Sequence, residues 1–225
     1  MLRFHESACC TRSPVSTSLC VRSVAFLLAT MLVFSSVARC EKSSLKPTTN
    51  PESSEGSRKM LRSGPKAGST IHQFFVRAVT GPHRNRSVCY VCRYGSRPVV
   101  MVLLQKSDPK IATLLKAIDT IVDDNRVSGL RSFGVLVTDE SARAVPILQT
   151  MAFDERIRMP LTAATTAIAG PSCHNLHEDA ATTVILYRDQ QAVKNFAFKN
   201  GSINDGSILP MIEAVKQLIK PTNPA

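Results

Sequence analysis

The order of the strand and helix patterns predicts an α/β domain with a central mixed sheet flanked by helices. Residues 99–104 (Val-Val-Met-Val-Leu-Leu) form a continuous apolar run, which is typical of a strand covered on both faces. Residues 111–122 follow with apolar side chains at helical spacing. Two further strand patterns, over residues 182–187 and 192–198, precede a second amphipathic helix. The predicted order is one strand, then βαβαβ, then ββα, which joins a parallel half to an antiparallel hairpin.

The first half of the domain contains two predicted strands and a well-defined amphipathic helix. Residues 71–79 predict a strand that Thr80-Gly81-Pro82 closes, and a loop or short hairpin leads to the strand at 99–104. Ser107-Asp108-Pro109 then supplies a capping residue and a proline suited to the first helical position. The predicted inner face of this helix consists of Ile111, Leu114, Leu115, Ile118, Ile121 and Val122.

The middle of the domain continues the strand and helix alternation. Residues 133–137 predict a strand, and Thr138-Asp139-Glu140 begins a second helix with acidic residues in its first turn. Pro146 lies inside this pattern, so the helix either kinks there or begins there. A third strand is predicted near residues 157–163, and residues 167–178 are predicted to be irregular.

The last part of the chain predicts a hairpin and a closing helix. The two strands at 182–187 and 192–198 turn around Asp189-Gln190-Gln191. The helix begins at about Asn204. Its predicted inward face consists of Ile208, Met211, Ile212, Val215, Leu218 and Ile219.

The amino-terminal region has the pattern of a secretory signal peptide. Residues 24–38 are apolar or weakly polar, three arginines precede them, and Ser36-Val37-Ala38 supplies the small residues of a cleavage site. The run is shorter than the ~20 residues that a membrane-spanning helix needs. We therefore expect residues 1–38 to be a cleaved signal peptide and the mature protein to be exported, periplasmic or secreted, without a stable membrane span. Cleavage near Cys40 with lipid attachment is the alternative, although Arg39 fits such a site poorly.

Residues 39–70 predict a flexible, low-complexity linker between the leader and the domain. From residue 41 onward this segment is rich in Ser, Lys, Pro, Thr and Gly and has hardly any apolar residues. Such a segment buries too little apolar surface to offset its ordering entropy. The remaining residues, 71–225, have the length of one domain.

The chain is basic, with a formal net charge of +11. Aromatic residues make up 5% of it, tryptophan is absent, and the basic residues are dispersed, which argues against specific nucleic-acid binding. The densest group surrounds the Cys-Tyr-Val-Cys motif and consists of Arg84, Arg86, Arg93 and Arg97. This pattern favours a solvated basic surface with loose affinity for anionic surface polymers.

Three of the seven cysteines belong to the predicted domain: Cys89, Cys92 and Cys173. The other four lie in or beside the leader. In an oxidising compartment, three thiols predict one disulfide and one remaining cysteine.

The element order, the Arg97-Pro98-Val99-Val100-Met101-Val102 segment and the 182–198 hairpin with Lys199-Asn200-Gly201 behind it resemble the thioredoxin-like superfamily. The closest resemblance is to its exported peroxiredoxin- and TlpA-related branch, and it covers nearly all of residues 71–220. The resemblance implies a CxxC motif after the first core strand, where the N–H groups of the next helix stabilise a thiolate. Here that position is vacant and contains Gln105-Lys106-Ser107-Asp108. The proline that the family places before the hairpin is also missing, since residues 180–183 are Ala-Ala-Thr-Thr.

The Cys89/Cys92 motif instead precedes the strand at 99–104, so we expect it about 20 Å from the usual pole. Three interpretations remain open. The pair is a structural disulfide, or it is a displaced redox dithiol with Cys89 as nucleophile and Cys92 as resolving thiol. The redox interpretation assigns thiolate stabilisation to Arg86, Arg93 and Arg97. The third and weakest interpretation is a metal site of Cys89, Cys92, Cys173 and His177, with His174 as another ligand candidate.

Two functions therefore compete at this stage. The first is thiol–disulfide exchange through Cys89 and Cys92 with protein thiols or disulfides as partners, which requires no cofactor. The second is a non-catalytic binding module that retains the fold and a structural disulfide.

Overall fold

One seven-stranded mixed sheet organises the part of the chain that the computed structural model describes, residues 61–106, 108 and 110–220. The predicted signal peptide and residues 39–60 of the predicted linker lie outside these residues. The strands are β1 (Val76–Ala78), β2 (Ser87–Val88), β3 (Val99–Leu104), β4 (Arg131–Val137), β5 (Leu161–Ala164), β6 (Thr182–Arg188) and β7 (Gln191–Phe198). The helices are α1 (Tyr90–Tyr94), α2 (Ile111–Asp124), α3 (Ser141–Asp154) and α4 (Asp205–Leu218), with a 3₁₀ turn at Thr166–Ala169.

The sheet has the predicted combination of a parallel half and an antiparallel hairpin. Its strand order is β2-β1-β5-β4-β3-β6-β7. Strands β3, β4 and β5 are parallel neighbours, whereas β6 runs antiparallel to β3 and β7 antiparallel to β6. All six side chains of β3 are buried, as the continuous apolar run predicts.

Each face of the sheet has its own apolar cluster. On one face α2, α3 and α4 pack against the sheet, and the predicted inner face of α2 is confirmed. On the other face the cover is the short helix α1 together with loops, and the cluster includes Tyr90, Val91, Met101, Phe133 and Tyr187. Among the described residues, no helix combines the length and the apolarity that crossing a membrane requires.

The predicted strand at residues 71–79 is wrong for most of its length. Thr70 bridges to Gln191 at the β7 edge, and the Ile71 N–H donates to the Gln190 carbonyl. Arg77 and Ala78 instead pair with β5, on the other side of the sheet. The segment therefore crosses a sheet face, and only Val76–Ala78 forms a strand.

The predicted strand near residues 157–163 begins later than expected. The N–H groups of Arg158 and Met159 donate to the two carboxylate oxygens of Asp119 at 2.9 and 2.8 Å, so they do not join a strand ladder. The strand is Leu161–Ala164. Helix α3 runs continuously through Pro146.

The hairpin and closing helix agree with their predictions. Asp189 and Gln190 both have positive φ angles, 52° and 59°, as a two-residue turn between antiparallel strands requires. Asn204 caps α4, because its side-chain oxygen accepts from the Ser207 N–H at 2.9 Å.

The folded domain begins before residue 71. Ser63, which the composition assigns to the linker, is buried, and its hydroxyl lies 2.6 Å from the Thr183 hydroxyl. The Asn195 side chain donates to the Pro65 carbonyl at 2.6 Å. The end of the predicted linker, residues 61–70, thus packs against the hairpin because hydrogen bonds replace the apolar burial it lacks.

Candidate functional site

Cys89 and Cys92 form a disulfide at the start of helix α1. The S–S distance is 2.04 Å and the Cα atoms are 5.4 Å apart. Cys89 is the N-cap of the helix, and its Sγ accepts a hydrogen bond from the Cys92 N–H at 3.1 Å. The buried side chains of Tyr90 and Val91 hold this five-residue helix against the sheet.

The two sulfur-bearing residues differ in exposure. Cys89 is 8% exposed and belongs to the apolar cluster beneath α1, whereas Cys92 is exposed to solvent. An incoming thiolate must approach the sulfur that it attacks, so it meets Cys92 first. Cys92 therefore occupies the more accessible position, and the role of Cys89 as the attacking thiol stays a prediction.

A shallow depression of about 610 Å³ surrounds the disulfide. Two of the three predicted supporting arginines, Arg86 and Arg93, line it beside both cysteines. Phe75, which is 67% exposed, contributes an apolar surface to the same depression. The disulfide is thus bordered by positive charge and by an exposed aromatic ring.

The third predicted arginine, Arg97, lies in an adjoining cleft of about 570 Å³. Five arginines line this cleft: Arg93, Arg97, Arg126, Arg131 and Arg158. His83 and Arg93 line both cavities, so the cleft and the disulfide depression are neighbours.

Sequence reasoning missed Arg126, Arg131 and Arg158 because they lie far from the cysteines along the chain. They follow α2, begin β4 and precede β5, respectively. Because parallel strands present their amino ends at the same sheet edge, the predicted βαβαβ order was the signal that could have brought the last two together with Arg97.

Asp123 orients two of the cleft arginines. Its carboxylate oxygens lie 2.5 Å from Arg126 Nε and 2.5 Å from Arg158 Nη1. The hydrogen bond from Arg126 and the positive charge of Arg158 hold the pKa of Asp123 below its usual range. Arg131 is oriented by carbonyls instead, since its Nη1 donates to Leu130 O at 2.7 Å and Arg126 O at 3.1 Å.

Solved structures with the same arrangement of strands and helices identify the fold. A candidate protein disulfide isomerase from Bacteroides thetaiotaomicron superimposes with a TM-score of 0.56 at 11% identity, over 72% of this chain and 96% of that one. A candidate thiol:disulfide interchange protein DsbE from Chlorobium tepidum gives a TM-score of 0.53 at 7% identity, over 69% and 99%. The fold is thioredoxin-like.

A third thioredoxin-like structure agrees with this assignment. The DsbF homologue from Corynebacterium diphtheriae has a TM-score of 0.50 and 14% identity, over 65% of this chain and 86% of that one. No protein-family model and no curated protein matches the sequence. The resemblance inferred from element order is therefore confirmed at the level of the fold.

The carboxyl end of β3, where the resemblance places the thioredoxin-like active site, contains a structural carboxylate. Asp108 is 5% exposed. Its Oδ1 accepts from the Lys110 N–H at 2.8 Å and its Oδ2 from the Gly201 N–H at 2.5 Å. The side chain thus ties the start of α2 to the loop after β7.

The structure does not bring together the residues of the alternative metal site. Cys89 and Cys92 are joined as a disulfide, Cys173 is buried, and the exposed His177 accepts from the Asp179 N–H through Nδ1. Within residues 61–220 as described, no three His, Cys, Asp or Glu side chains come close enough to hold a metal ion. Both sulfurs are engaged in the disulfide, which removes the thiolates that such a site needs.

His174, the other histidine considered as a ligand, is a buried part of the core. Its Nδ1 lies 3.1 Å from the Ile168 carbonyl, and its ring packs edge-on against Phe74 at 4.7 Å. Burial lowers the pKa of His174 to about 4, so the ring is neutral at pH 7 and donates from Nδ1.

Proposed function

We propose that this protein catalyses thiol–disulfide exchange through Cys89 and Cys92, with Cys92 as the sulfur that contacts the substrate. The observation that carries the proposal is the asymmetry of the disulfide. Both cysteines line a surface depression, where Cys92 is exposed and Cys89 is 8% exposed, and the Cys89 Sγ accepts a hydrogen bond from the Cys92 N–H.

The exchange follows from this asymmetry. A substrate thiolate attacks Cys92 Sγ, forming a mixed disulfide, and the bond to Cys89 breaks. Cys89 leaves as a thiolate with the electron pair, and the Cys92 N–H stabilises that charge. A second substrate thiolate then attacks the substrate sulfur of the mixed disulfide, and Cys92 leaves as a thiolate. The substrate is oxidised to a disulfide and the protein is reduced to a dithiol. The reverse sequence reduces a substrate disulfide.

The surroundings of Cys92 support this chemistry. Arg86 and Arg93 favour thiolates electrostatically, both on the protein and on the approaching substrate. The exposed Phe75 offers an apolar contact to a polypeptide, so protein thiols or disulfides are the proposed partners.

A purely structural role is the weaker explanation of the bond. A disulfide that closes a four-residue loop contributes only about 2 kcal/mol by the chain-entropy estimate. Tyr90 and Val91 already anchor α1 through burial.

The proposed setting is an oxidising compartment, reached by export and removal of residues 1–38. The thioredoxin-like fold and the disulfide are consistent with this setting. We further place the chain in the exported peroxiredoxin- and TlpA-related branch, with its dithiol displaced from the family's usual position.

Alkylation of the reduced protein tests the assignment of roles. We expect iodoacetamide near pH 7 to modify Cys92 at least tenfold faster than Cys89, as measured by peptide mass spectrometry. Cys173→Ser is the matched control and should leave the ratio unchanged. Equal labelling of both cysteines, or preferential labelling of Cys89, contradicts the proposal.

The second candidate is a non-catalytic binding module with a structural disulfide. Asp108 favours it, because this buried carboxylate accepts two backbone hydrogen bonds and so has a structural role at the carboxyl end of β3. For such a module, the disulfide resists mild reductant, and Cys89→Ala lowers the melting temperature without any change in exchange activity.

A further inference from the structure

The arginine cleft described above carries more positive charge than its surroundings neutralise. Five arginines line it, and no acidic residue is among the lining side chains. Asp123 pairs with Arg126 and Arg158 from outside the lining. Among the described residues, Arg93 and Arg97 have no carboxylate within 4.0 Å. The cleft therefore has an excess of guanidinium groups that an anion can neutralise.

The lining of the cleft also includes a tyrosine whose hydroxyl is unpaired among the described residues. Tyr90 is 2% exposed and lines the cleft, and its hydroxyl has no hydrogen-bond partner among the described residues. The neighbouring Tyr94 is different, because its hydroxyl donates to the Ser132 carbonyl at 3.3 Å. A buried hydroxyl without a partner is costly, so a ligand that accepts its hydrogen bond gains affinity.

The cleft is built on fixed parts of the fold. Arg131 begins β4 and is oriented by two backbone carbonyls, and Asp123 holds Arg126 and Arg158. Guanidinium groups held in this way lose less entropy when they form paired hydrogen bonds to carboxylate, sulfonate or phosphate oxygens. The volume of about 570 Å³ fits a small molecule or a few side chains.

The cleft lies next to the disulfide. Arg93 directly follows Cys92 in sequence, and it lines both the cleft and the disulfide depression. A ligand whose anionic groups occupy the cleft can therefore present a sulfur to Cys92.

We propose that the cleft of Arg93, Arg97, Arg126, Arg131 and Arg158 recognises negatively charged groups on the thiol or disulfide that reacts at Cys92. This inference rests on the exchange function proposed above and names its substrate class. The same chemistry is present in a small anionic thiol and in an acidic segment that flanks a protein cysteine.

Three small thiols of matched length test the inference: 2-mercaptoethanesulfonate, 2-mercaptoethanol and cysteamine. The group at the end opposite the sulfur is anionic, neutral and cationic, respectively. Each is used to reduce the Cys89–Cys92 disulfide of the purified full chain, and each rate is divided by the thiolate concentration. We expect the sulfonate to react at least tenfold faster than cysteamine, with 2-mercaptoethanol between them. Added salt should reduce the difference between the three rates, because it screens the charges.

Variants that remove one positive charge test whether the cleft arginines cause the rate difference between the thiols. Arg126→Gln and Arg158→Gln should each slow the sulfonate reaction about threefold and should slow the 2-mercaptoethanol reaction less, because its thiolate carries one negative charge instead of two. Arg143→Gln removes an exposed arginine that lies on α3 outside the cleft and pairs with Glu140, and it should change neither rate. Circular dichroism checks that each variant is folded.

Two cysteine peptides, flanked by glutamates or by glutamines, distinguish the sources of the ligand. If the glutamate peptide reacts faster than the glutamine peptide, the ligand is an acidic protein segment. If the two peptides react at equal rates while the sulfonate reacts fast, the ligand is a small molecule. Both results support anion recognition by the cleft. Equal rates for the three small thiols, or equal losses in Arg143→Gln and the cleft variants, overturn the inference while the exchange function stands. If no thiol reduces the disulfide, the exchange function itself fails, and the inference fails with it.

Discussion

Different groups lie at the two ends of the buried strand β3. At its amino end lie the Cys89–Cys92 disulfide, the exposed Cys92 and the arginine cleft. At its carboxyl end, Asp108 is buried and accepts two backbone hydrogen bonds. A six-residue strand separates the ends by about 20 Å. The start of α2 thus has a stabilising carboxylate, while the groups proposed to react lie at the opposite edge of the sheet.

The largest expected effect comes from breaking the amino end. Cys92→Ser removes the accessible sulfur, so we expect a loss of at least a hundredfold in the rate of thiol–disulfide exchange with a peptide substrate. Cys173→Ser, the control, should retain the wild-type rate. If Cys92→Ser keeps substantial activity, the exchange chemistry does not depend on this end of β3.

Acid should lower the free energy of unfolding of the domain through His174, which is buried on the same face of the sheet as α1. The folded-state pKa of His174, about 4, lies below the ordinary value of 6.5, so the unfolded chain binds a proton that the folded chain does not. The stabilisation is complete above about pH 6.5 and is lost as the pH falls toward 4, with a cost of about 3 kcal/mol. Urea unfolding at several pH values measures it.

His174→Asn is the matched variant for this pH dependence, since an amide can still donate to the Ile168 carbonyl. It should remove most of the stability change between pH 6.5 and 4. An unchanged pH dependence in the variant would mean that other groups are responsible.

Breaking the carboxyl end should affect stability rather than exchange. Asp108→Ala leaves the N–H groups of Lys110 and Gly201 without their carboxylate, so we expect a loss of about 2 to 3 kcal/mol in the free energy of unfolding. Asp108→Asn retains an acceptor and should lose less. A slower exchange rate in a fully folded Asp108 variant would show that the two ends are coupled.

The smallest expected effect is that of reducing the disulfide. The short loop predicts a loss of about 2 kcal/mol, with α1 still packed through Tyr90 and Val91. Unfolding of the oxidised and reduced protein in denaturant measures the difference. A loss of 4 kcal/mol or more would favour the structural role over the catalytic one.

The parts of the fold with a strong hydrophobic period were predictable from sequence. The apolar run of β3, the α2 face from Ile111 to Val122 and the hairpin at residues 182–198 each fix one local structure. The predicted strand at residues 71–79 failed because its two ends contact different parts of the sheet, which local patterning does not reveal. Helix α1 was missed because five residues are too few to show a helical period.

The sequence indicated the residues of the candidate site but not their geometry. Cys89, Cys92 and the neighbouring arginines are close in sequence, so their composition identified them. The burial of Cys89 depends on its packing beneath α1, which the CxxC spacing does not encode. Arg126, Arg131 and Arg158 join the cleft only through the chain topology.

The reduction potential of the Cys89–Cys92 pair tests the central claim most directly. The purified protein is equilibrated in buffers of defined thiol–disulfide ratio, and the oxidised fraction is measured by alkylation and mass spectrometry. A redox-active pair predicts a potential clearly above about −300 mV. A potential below that value, in a correctly folded protein, would contradict exchange at Cys92 and favour a structural disulfide.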